Sequence, residues 1–327
     1  MARHGNLCVP LVLFSAIAVL AGCESGPSVS GAFDRNYNVT GPLRLELTNA
    51  SGDVDISGSA DGKVHVRGEV RASGFGFDNP QKRLDDTLAN PPIEQRGDTI
   101  RIGKDMSHMR HVRIAYAIQV PRDTEVSATV ASGAQTIGGV RGPVKVQAAS
   151  GSIRVEKIDR DVQLSTASGS VSASDIGNDV RVSSASGSVT VSNTRGDVRV
   201  NALSGFIRVS NPGGRIEADT ASGEVEIQGA AKDVKSRAAS GRVSVQGNPG
   251  ADSYWELKTA SGTVQLSVPA SANFHLSAEA VSGEIRTDIP IVIEEQGKHS
   301  LRAHMGSGGG RVDVHTVSGE IRVSGTK

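Results

Sequence analysis

Short segments in which apolar and polar residues alternate recur along most of the chain, separated by Ser-Gly pairs. Seven of these pairs begin 18 residues apart, at Ser132, Ser150, Ser168, Ser186, Ser204, Ser222 and Ser240. Aliphatic residues occupy the third, fifth, twelfth and fourteenth places after the serine, as Ile153, Val155, Val162 and Leu164 do. Apolar residues at every second position predict a strand with one buried face. Each 18-residue period therefore predicts two short strands.

Turn-forming residues separate the predicted strands. Gly151 and its equivalents occupy one corner of each period, and Asn178, Gly196 and Gly214 occupy a second corner nine residues later. Glycine and asparagine tolerate positive φ, so both corners are predicted to turn there. Coils stacked about 4.8 Å apart would align equivalent residues into parallel sheets. The predicted fold is an all-β, single-stranded parallel β-solenoid (β-helix) of 18-residue coils, with a right-handed coil favoured.

Two other solenoids with related periods do not fit. A hexapeptide helix needs an apolar residue at every sixth position, but Asp159 and Ser165 follow Ile153 at that spacing. The calcium-binding nonapeptide needs Gly and Asp in each half-coil, whereas aspartate appears once per coil. These aspartates, which we interpret as turn residues, are Asp161, Asp179, Asp197 and Asp233.

The regular repeat is predicted over residues 126–327. Later pairs begin at Ser261 and Ser282, each 21 residues on, and at Ser318, two periods further. Residues 288–311 interrupt the repeat and are predicted to form a loop-rich insertion. They include Pro290, Glu294-Glu295 and a glycine-rich run.

Residues 33–125 are predicted to form an N-terminal β region, in which Ser51-Gly52 is an isolated early copy of the motif. An insertion at 79–92 begins with Asn79-Pro80, a helix-start signal, and ends with Pro91-Pro92. We expect a helix there that caps the first open edge of the solenoid.

The chain begins with features of bacterial export. Arg3 precedes a nearly continuous apolar run over 7–20, and Leu20-Ala21-Gly22-Cys23 follows. This segment resembles a lipobox, which implies a signal peptide over 1–22, acylation of Cys23 and a linker over 23–32. Cys8 would leave with the signal, so no disulfide is predicted. Glu24 in place of aspartate favours the outer membrane of the cell envelope, facing the periplasm or the surface.

The motifs together resemble a known family. Val112-x-Ile114-x-Tyr116-x-Ile118-x-Val120-Pro121, followed by serial Ser-Gly-x-[Val/Ile]-x-[Val/Ile], is similar to the bacterial putative-adhesin family of β-strand-repeat proteins. The resemblance covers about residues 33–327 and implies a surface or envelope role. It implies no catalytic residues, because the family was long classed only as a domain of unknown function.

Candidate chemistry is sparse. No nucleophile elbow, phosphate loop or carboxylate pair is present, so no catalytic residues and no cofactor are predicted. The weak metal candidates are Met106, His108, Met109 and His111, whose thioether and imidazole groups suit copper. Trp255 occupies a core column of the repeat and is interpreted as core, although with Tyr254 it could form a sugar platform.

The outward positions of the second strand carry four cations in one column: Lys145, Arg181, Arg199 and Lys235. We call them the cation column. Interrupted by Glu217, they would lie within a stripe of about 24 Å and suit a weak, multivalent contact with an anionic polymer. A solvated face that only keeps the sheet soluble is the alternative. The formal net charge of zero gives no reason to expect nucleic acid as a partner.

The sequence therefore predicts a non-enzymatic, lipid-anchored β-solenoid that acts as an adhesin-like binding or scaffold surface. Its partners would be the membrane, through the N-terminal lipid, and an envelope polysaccharide or another envelope protein. One alternative is an envelope-stress or signalling accessory that binds a membrane protein. A second alternative is a polysaccharide-acting β-helix enzyme, which would need a groove lined by acidic or basic residues.

Replacing Cys23 by Ala is expected to release the protein from membranes, because the unacylated chain has no other predicted hydrophobic anchor. Fractionation of cells into membrane and soluble material measures this. Membrane association equal to that of the wild type would contradict lipidation at Cys23.

Overall fold

The computed structural model describes residues 28–74, 79–103 and 111–326. The residues described are almost entirely in β-structure, with one short helix. The elements are β1 (Ser28–Asn38), β2 (Leu43–Ser51), β3 (Val54–Ser59), β4 (Lys63–Ser73), α1 (Pro80–Ala89), β5 (Ile93–Arg96), β6 (Thr99–Ile102), β7 (Val112–Pro121), β8 (Thr124–Ser132), β9 (Gln135–Gly138), β10 (Val144–Ser150), β11 (Ile153–Ile158), β12 (Val162–Ser168), β13 (Val171–Ile176), β14 (Val180–Thr194), β15 (Val198–Pro212), β16 (Ile216–Ala230), β17 (Val234–Gly247), β18 (Tyr254–Val268), β19 (Phe274–Thr287), β20 (Val292–Gln296), β21 (Ser300–Met305) and β22 (Gly310–Gly325).

Equivalent residues of successive periods pair in parallel register. Val144 pairs with Val162, and Val162 with Val180, so each rung stacks its aliphatic residues on those of the next rung. The alternating residues that the sequence assigns to the interior are buried along both halves of each rung. The result is an all-β stack with a narrow aliphatic core, consistent with a β-solenoid.

The Ser-Gly corner bends the chain without ending the strand in most rungs. β10 and β11 are separate strands on either side of the corner, but from β14 onward one strand runs through it. Gly187 still pairs with Gly205 across the bend. The prediction of two separate strands per period is therefore wrong for these rungs, because the bend preserves the hydrogen-bonded ladder.

Eleven Ser-Gly pairs form one column along the described part of the chain. In spatial order their serines are Ser51, Ser132, Ser150, Ser168, Ser186, Ser204, Ser222, Ser240, Ser261, Ser318 and Ser282. Ser51 pairs directly with Ser132, so the early copy is the first rung of the column rather than an isolated motif.

The eleven glycines of these pairs, which we call the glycine column, have φ between 118° and 151°. A Cβ built on any of them would lie less than 3.0 Å from a backbone carbonyl oxygen of the neighbouring rung. In Gly205, for example, the obstacle is the carbonyl of Gly187. Both the backbone conformation and the close stacking therefore require glycine.

The second corner differs from the prediction. Positive φ, between 52° and 77°, occurs at Gly139, Lys157, Asp175, Asn193, Asn211 and Gly229, seven residues after each serine. Asn178, Gly196 and Gly214, three residues further on, have no positive φ. Gly196 and Gly214 instead lie close to the backbone of the preceding rung, where a Cβ would collide. These glycines serve close packing rather than the turn.

The rungs near the C-terminal end do not follow chain order. β22 pairs in parallel with both β18 and β19, so Ser318 lies between Ser261 and Ser282. The rungs at this end are therefore not stacked in chain order. The predicted loop at 288–311 contains the antiparallel hairpin β20–β21, and β21 pairs with β19.

At the other end, β1, β4 and β7 form antiparallel pairs beyond β3. Helix α1 packs against this region with Leu84 and Thr87 buried, and the side chain of Asn79 accepts a hydrogen bond from the Lys82 amide. Gly31 of β1 leaves the space that Leu84 and Leu88 occupy. Within the described ranges, no helix is both long enough and apolar enough to cross a membrane.

Substitutions at Val191 and Thr190 test the assignment of faces. Val191 is fully buried, whereas the neighbouring Thr190 is half-buried on the outer face. Val191→Asp would bury an unpartnered carboxylate and is expected to lower the free energy of unfolding by several kcal/mol, while Thr190→Asp should cost less than about 1 kcal/mol. Urea denaturation measures both, and equal losses would contradict the assignment.

The glycine column makes a separate prediction. Gly187→Ala is expected to destabilise the protein by at least about 2 kcal/mol, because alanine is strained at this φ and its methyl group meets a backbone carbonyl. Ser188→Ala, at the exposed next position, is the matched control and should have little effect. Thermal unfolding that is the same for both variants would show that the corner tolerates a side chain.

Candidate functional site

Three outward-facing columns share one face of the stack. They lie five, three and one residues before each serine, on the strand segment that leads into the Ser-Gly corner. Lys145, Gln147 and Ala149 are their members in one rung, and all three are exposed. Because successive outward residues on a strand alternate with buried ones, these columns are neighbours on the surface. We call this surface the corner face.

The column next to the serines is apolar in every rung. Its members, which we call the apolar column, are Ala50, Ala131, Ala149, Ala167, Ala185, Leu203, Ala221, Ala239, Ala260, Val317 and Val281. Leu203 is 65% exposed, Val281 57% and Val317 47%. Large aliphatic side chains that face solvent in one line are unusual and commonly mark an interaction surface.

A long, shallow and open groove follows the apolar column. One segment has a volume of about 1160 Å³ and extends from Gln147 to Val317, and a second of about 660 Å³ continues it from Ala167 back to Thr48. Since Gln147, Ala148 and Ala167 line both segments, the groove is continuous along the described rungs. An extended chain that ran along the stack would contact the same kind of residue in each rung.

The sequence analysis did not identify this groove. Alanine at an alternating position gives little signal, because it is common both in cores and on surfaces. Leu203, Val281 and Val317 are the residues that could have indicated it, since each breaks the polar pattern of the outward positions.

The middle column gives the groove a polar wall. It carries Gln147, Ser165, Ser183, Asn201 and Asp219, followed by Arg237, Lys258 and His315. Desolvation by the surrounding wall raises the pKa of Asp219, and its Oδ1 has no hydrogen-bond partner. Asp219 is the one carboxylate among the described residues that line this groove.

The cation column forms the third part of the corner face. Lys145, Arg181, Arg199 and Lys235 do align: Arg181 pairs in register with Arg199, and Glu217 lies between Arg199 and Lys235. Glu217 forms ion pairs with both of these cations, at 2.5 Å and 3.7 Å.

The other two cations of the column, Arg181 and Lys145, interact less with acidic side chains. Arg181 lies 3.4 Å from Asp179, and among the residues described Lys145 has no ion pair. Because exposed ion pairs are weak, the cations remain available to a polyanion, although the acidic residues reduce the positive field.

The aspartates assigned to turns stabilise the opposite corner. Asp179 accepts a hydrogen bond from the Asp197 amide at 2.9 Å, and Asp197 accepts one from the Arg215 amide at 2.8 Å. Each carboxylate thus holds the backbone of the next rung. Asn211 and Asn193 form a parallel ladder of side-chain amides, with 3.1 Å between Nδ2 and Oδ1.

The remaining sequence candidates do not come together at this site. Cys23, Met106, His108 and Met109 lie outside the described residues, and His111 is exposed before β7 with a φ of 64°. Trp255 is fully buried and its Nε1 donates to the Lys232 carbonyl, so the core interpretation is confirmed. Tyr254 is exposed but donates its hydroxyl proton to Asp313.

Two solved structures are similar to this chain. A "putative cell adhesion protein" from Clostridium sporogenes ATCC 15579 is 11% identical, covers 90% of this chain and 100% of its own, and gives a TM-score of 0.23. A "putative adhesin" from Bacteroides fragilis NCTC 9343 is 13% identical, covers 90% and 97%, and gives a TM-score of 0.28. No curated protein matches.

The family comparison rests on more than half of the sequence. The model described as Toastrack DUF4097 matches residues 106–324, which contain the regular rungs, β22 and the hairpin β20–β21. The predicted resemblance to the family of adhesin-like repeat proteins is confirmed by this match. The chain belongs to the Toastrack DUF4097 family.

Proposed function

We propose that this protein is a non-enzymatic, lipid-anchored binding scaffold of the bacterial envelope, with an adhesin-like role. Its corner face binds an extended anionic polysaccharide that lies along the stack. The observation that carries the proposal is the continuous groove beside the apolar column, on the same face as the cation column.

The chemistry of the three columns suits such a ligand. A sugar chain offers apolar C–H faces to the apolar column and hydroxyl groups to the amides and hydroxyls of the middle column. Carboxylate or phosphate groups on the polymer would contact the cation column, where Lys145 and Arg181 are the least engaged by acidic neighbours. Each rung contributes little, and affinity arises from repetition along the groove.

The groove supports binding better than hydrolysis. Glycoside hydrolysis generally uses two carboxyl groups on either side of the scissile bond. Asp219 alone among the described lining residues offers one, and the nearby Glu217 is held in ion pairs with Arg199 and Lys235.

The location of the protein completes the proposal. The lipobox-like Leu20–Cys23 would tether the scaffold to the outer membrane, and the stacked rungs would present the corner face as one extended surface. The rival role, an accessory that binds a membrane protein, would use the same exposed face. The uniform repetition along the groove favours a polymer over the irregular surface of a folded partner.

Replacing Arg181 and Arg199 by Ser should weaken binding to purified anionic envelope polysaccharide stepwise, by several-fold for the double variant. Binding of the wild type should fall as salt rises from 50 to 300 mM, because exposed charges are screened. Co-sedimentation with the polysaccharide measures both effects. Arg208→Ser is the matched control, because Arg208 is similarly exposed and ion-paired, to Glu226, but lies on the other strand segment of the rung.

Leu203→Glu tests the groove itself. A carboxylate in the middle of the apolar column should abolish binding to the same polymer, while unfolding stays unchanged because Leu203 is largely exposed. Binding that is indifferent to salt, to the double Arg variant and to Leu203→Glu would refute the polysaccharide proposal. Photocrosslinking from position 203 to a single envelope protein in intact cells would favour the accessory role instead.

A further inference from the structure

The corner face carries different charges at its two ends. Over eight successive rungs, its column farthest from the serines reads Lys145, Gln163, Arg181, Arg199, Glu217, Lys235, Glu256 and Asp313. The first four rungs thus present three cations and no carboxylate in this column. The last four present three carboxylates and one cation. Two such surfaces would attract each other if they met with their stacks running in opposite directions.

The apolar column changes in size along the same direction. Its members before Leu203 are all alanine, whereas Val317 and Val281 occupy the last two rungs. Leu203 lies near the middle and is followed by Ala221. A surface with small residues at one end and large residues at the other is complementary in shape to a second copy turned end to end.

We infer that the corner face also binds a second copy of this chain, in a dimer whose two stacks run in opposite directions. A two-fold axis midway between the rungs of Leu203 and Ala221 places each of these residues opposite the other in the second copy. The interface is isologous, because both copies use the same surface. Large apolar residues then enter the groove where the facing column is small, as Val317 does opposite Ala149.

The same axis pairs opposite charges. Arg199 lies opposite Glu217 of the second copy, and Lys145 lies opposite Asp313 of the second copy. Within each chain Arg199 already forms an ion pair with Glu217. The axis therefore brings two of these pairs together in opposite orientation, so that each cation has a carboxylate on both sides.

The middle column of the corner face gains a hydrogen bond in this arrangement. Asn201 pairs in register with Asp219 within one chain, so the axis places Asn201 opposite Asp219 of the second copy. Within the described ranges Asp219 Oδ1 has no hydrogen-bond partner. The side-chain amide of Asn201 supplies an N–H donor for this oxygen. An oxygen that is unsatisfied in the single chain is thus satisfied in the dimer.

The charges also select the register. An axis half a rung nearer the N-terminal end places Arg199 opposite its own copy, and one half a rung further on does the same to Glu217 and Asp219. Like charges directly opposite each other are destabilising. The proposed axis leaves one like-charged pair in the outermost column over these eight rungs, Arg181 with Lys235, and each has an acidic neighbour in its own chain.

The area of the corner face suits a reversible dimer. Ten rungs, from Ser132 to Ser282, extend over about 43 Å at the usual strand spacing, and three outward columns cover about 14 Å. Each copy would therefore bury about 600 Å², which is at the lower end for specific interfaces of about 1,200 to 2,000 Å² in total. Both copies have the same rung spacing, so one rung meets one rung along the whole contact.

The dimer covers the groove that the proposed function assigns to a polysaccharide. As a regulation of that site, the inference rests on the proposed function: the polymer and the second copy compete for one surface. Free protein would keep its apolar column out of water in the dimer, and the polymer would open it by mass action.

Cysteine cross-linking tests the dimer and its register. Ala149→Cys and Val317→Cys are made separately in full chains that carry Cys8→Ala and Cys23→Ala, which removes both native cysteines. Within one chain the two positions are seven rungs apart, about 34 Å, and cannot form a disulfide. The oxidised mixture should give a covalent dimer, and each variant alone should not. Cross-linking of Ala149→Cys to itself, or none in the mixture, would overturn the inference.

Sedimentation equilibrium of the Cys23→Ala chain measures the contribution of charge. Lys145→Glu should weaken the dimer several-fold, and Asp313→Lys added to it should restore affinity because opposite charges face each other again. The matched control is Arg154→Glu, since Arg154 is exposed on β11, in the other strand segment of the rung, and should leave the dimer unchanged. A wild-type chain that sediments only as a monomer would contradict the inference.

Purified anionic envelope polysaccharide separates this inference from the proposed function. Added before oxidation, it should lower the yield of the covalent dimer. Polymer binding by a chain that neither cross-links nor dimerises would overturn the dimer and leave the proposed function in place. Cross-linking in the expected register by a chain that does not bind the polymer would support the dimer and refute the proposed function.

Discussion

The close approach of backbone to backbone at the Ser-Gly corner is the constraint on which the stack depends. Parallel rungs can share continuous hydrogen-bond ladders through a bend only if no Cβ stands between them. The glycine column meets this condition in eleven rungs, with each glycine at a φ reserved for residues without a side chain. Every other column keeps its place because this corner fixes the rung spacing and the register.

That fixed register explains why the two faces of the rung differ so strongly. Inward positions hold mostly aliphatic residues, so each rung buries the apolar side chains of its neighbours. Outward positions are free of packing demands and can vary, and their charges pair across rungs, as Arg199 and Lys235 do with Glu217. A continuous apolar column is therefore not required by the packing of the core, and we propose that its persistence reflects binding.

The sequence predicts those features that repeat at short range. The inward columns follow from alternation, and the glycine corner follows from the 18-residue interval. The second corner was predicted three residues too late: positive φ occurs at Lys157, whose residue type seldom adopts it, and at Asp175, Asn193 and Asn211. Asn193 and Asn211 were the available clues. Long-range features could not be predicted from the sequence, because nothing in the local pattern indicates that β22 pairs with β18.

The position of β22 between β18 and β19 also affects the order in which the strands can pair during folding. Most rungs pair with a strand 18 residues away, so they can form successively as the chain becomes available. Ser261 of β18 instead pairs with Ser318 of β22, which is 57 residues later in the chain. The parallel partner of β19 is also β22. Pairings between distant segments are slow to form because loop closure must precede them. During folding, β18 and β19 therefore expose their inner edges until β22 enters between them, and this interval is when the unfinished stack is most vulnerable to aggregation and proteolysis.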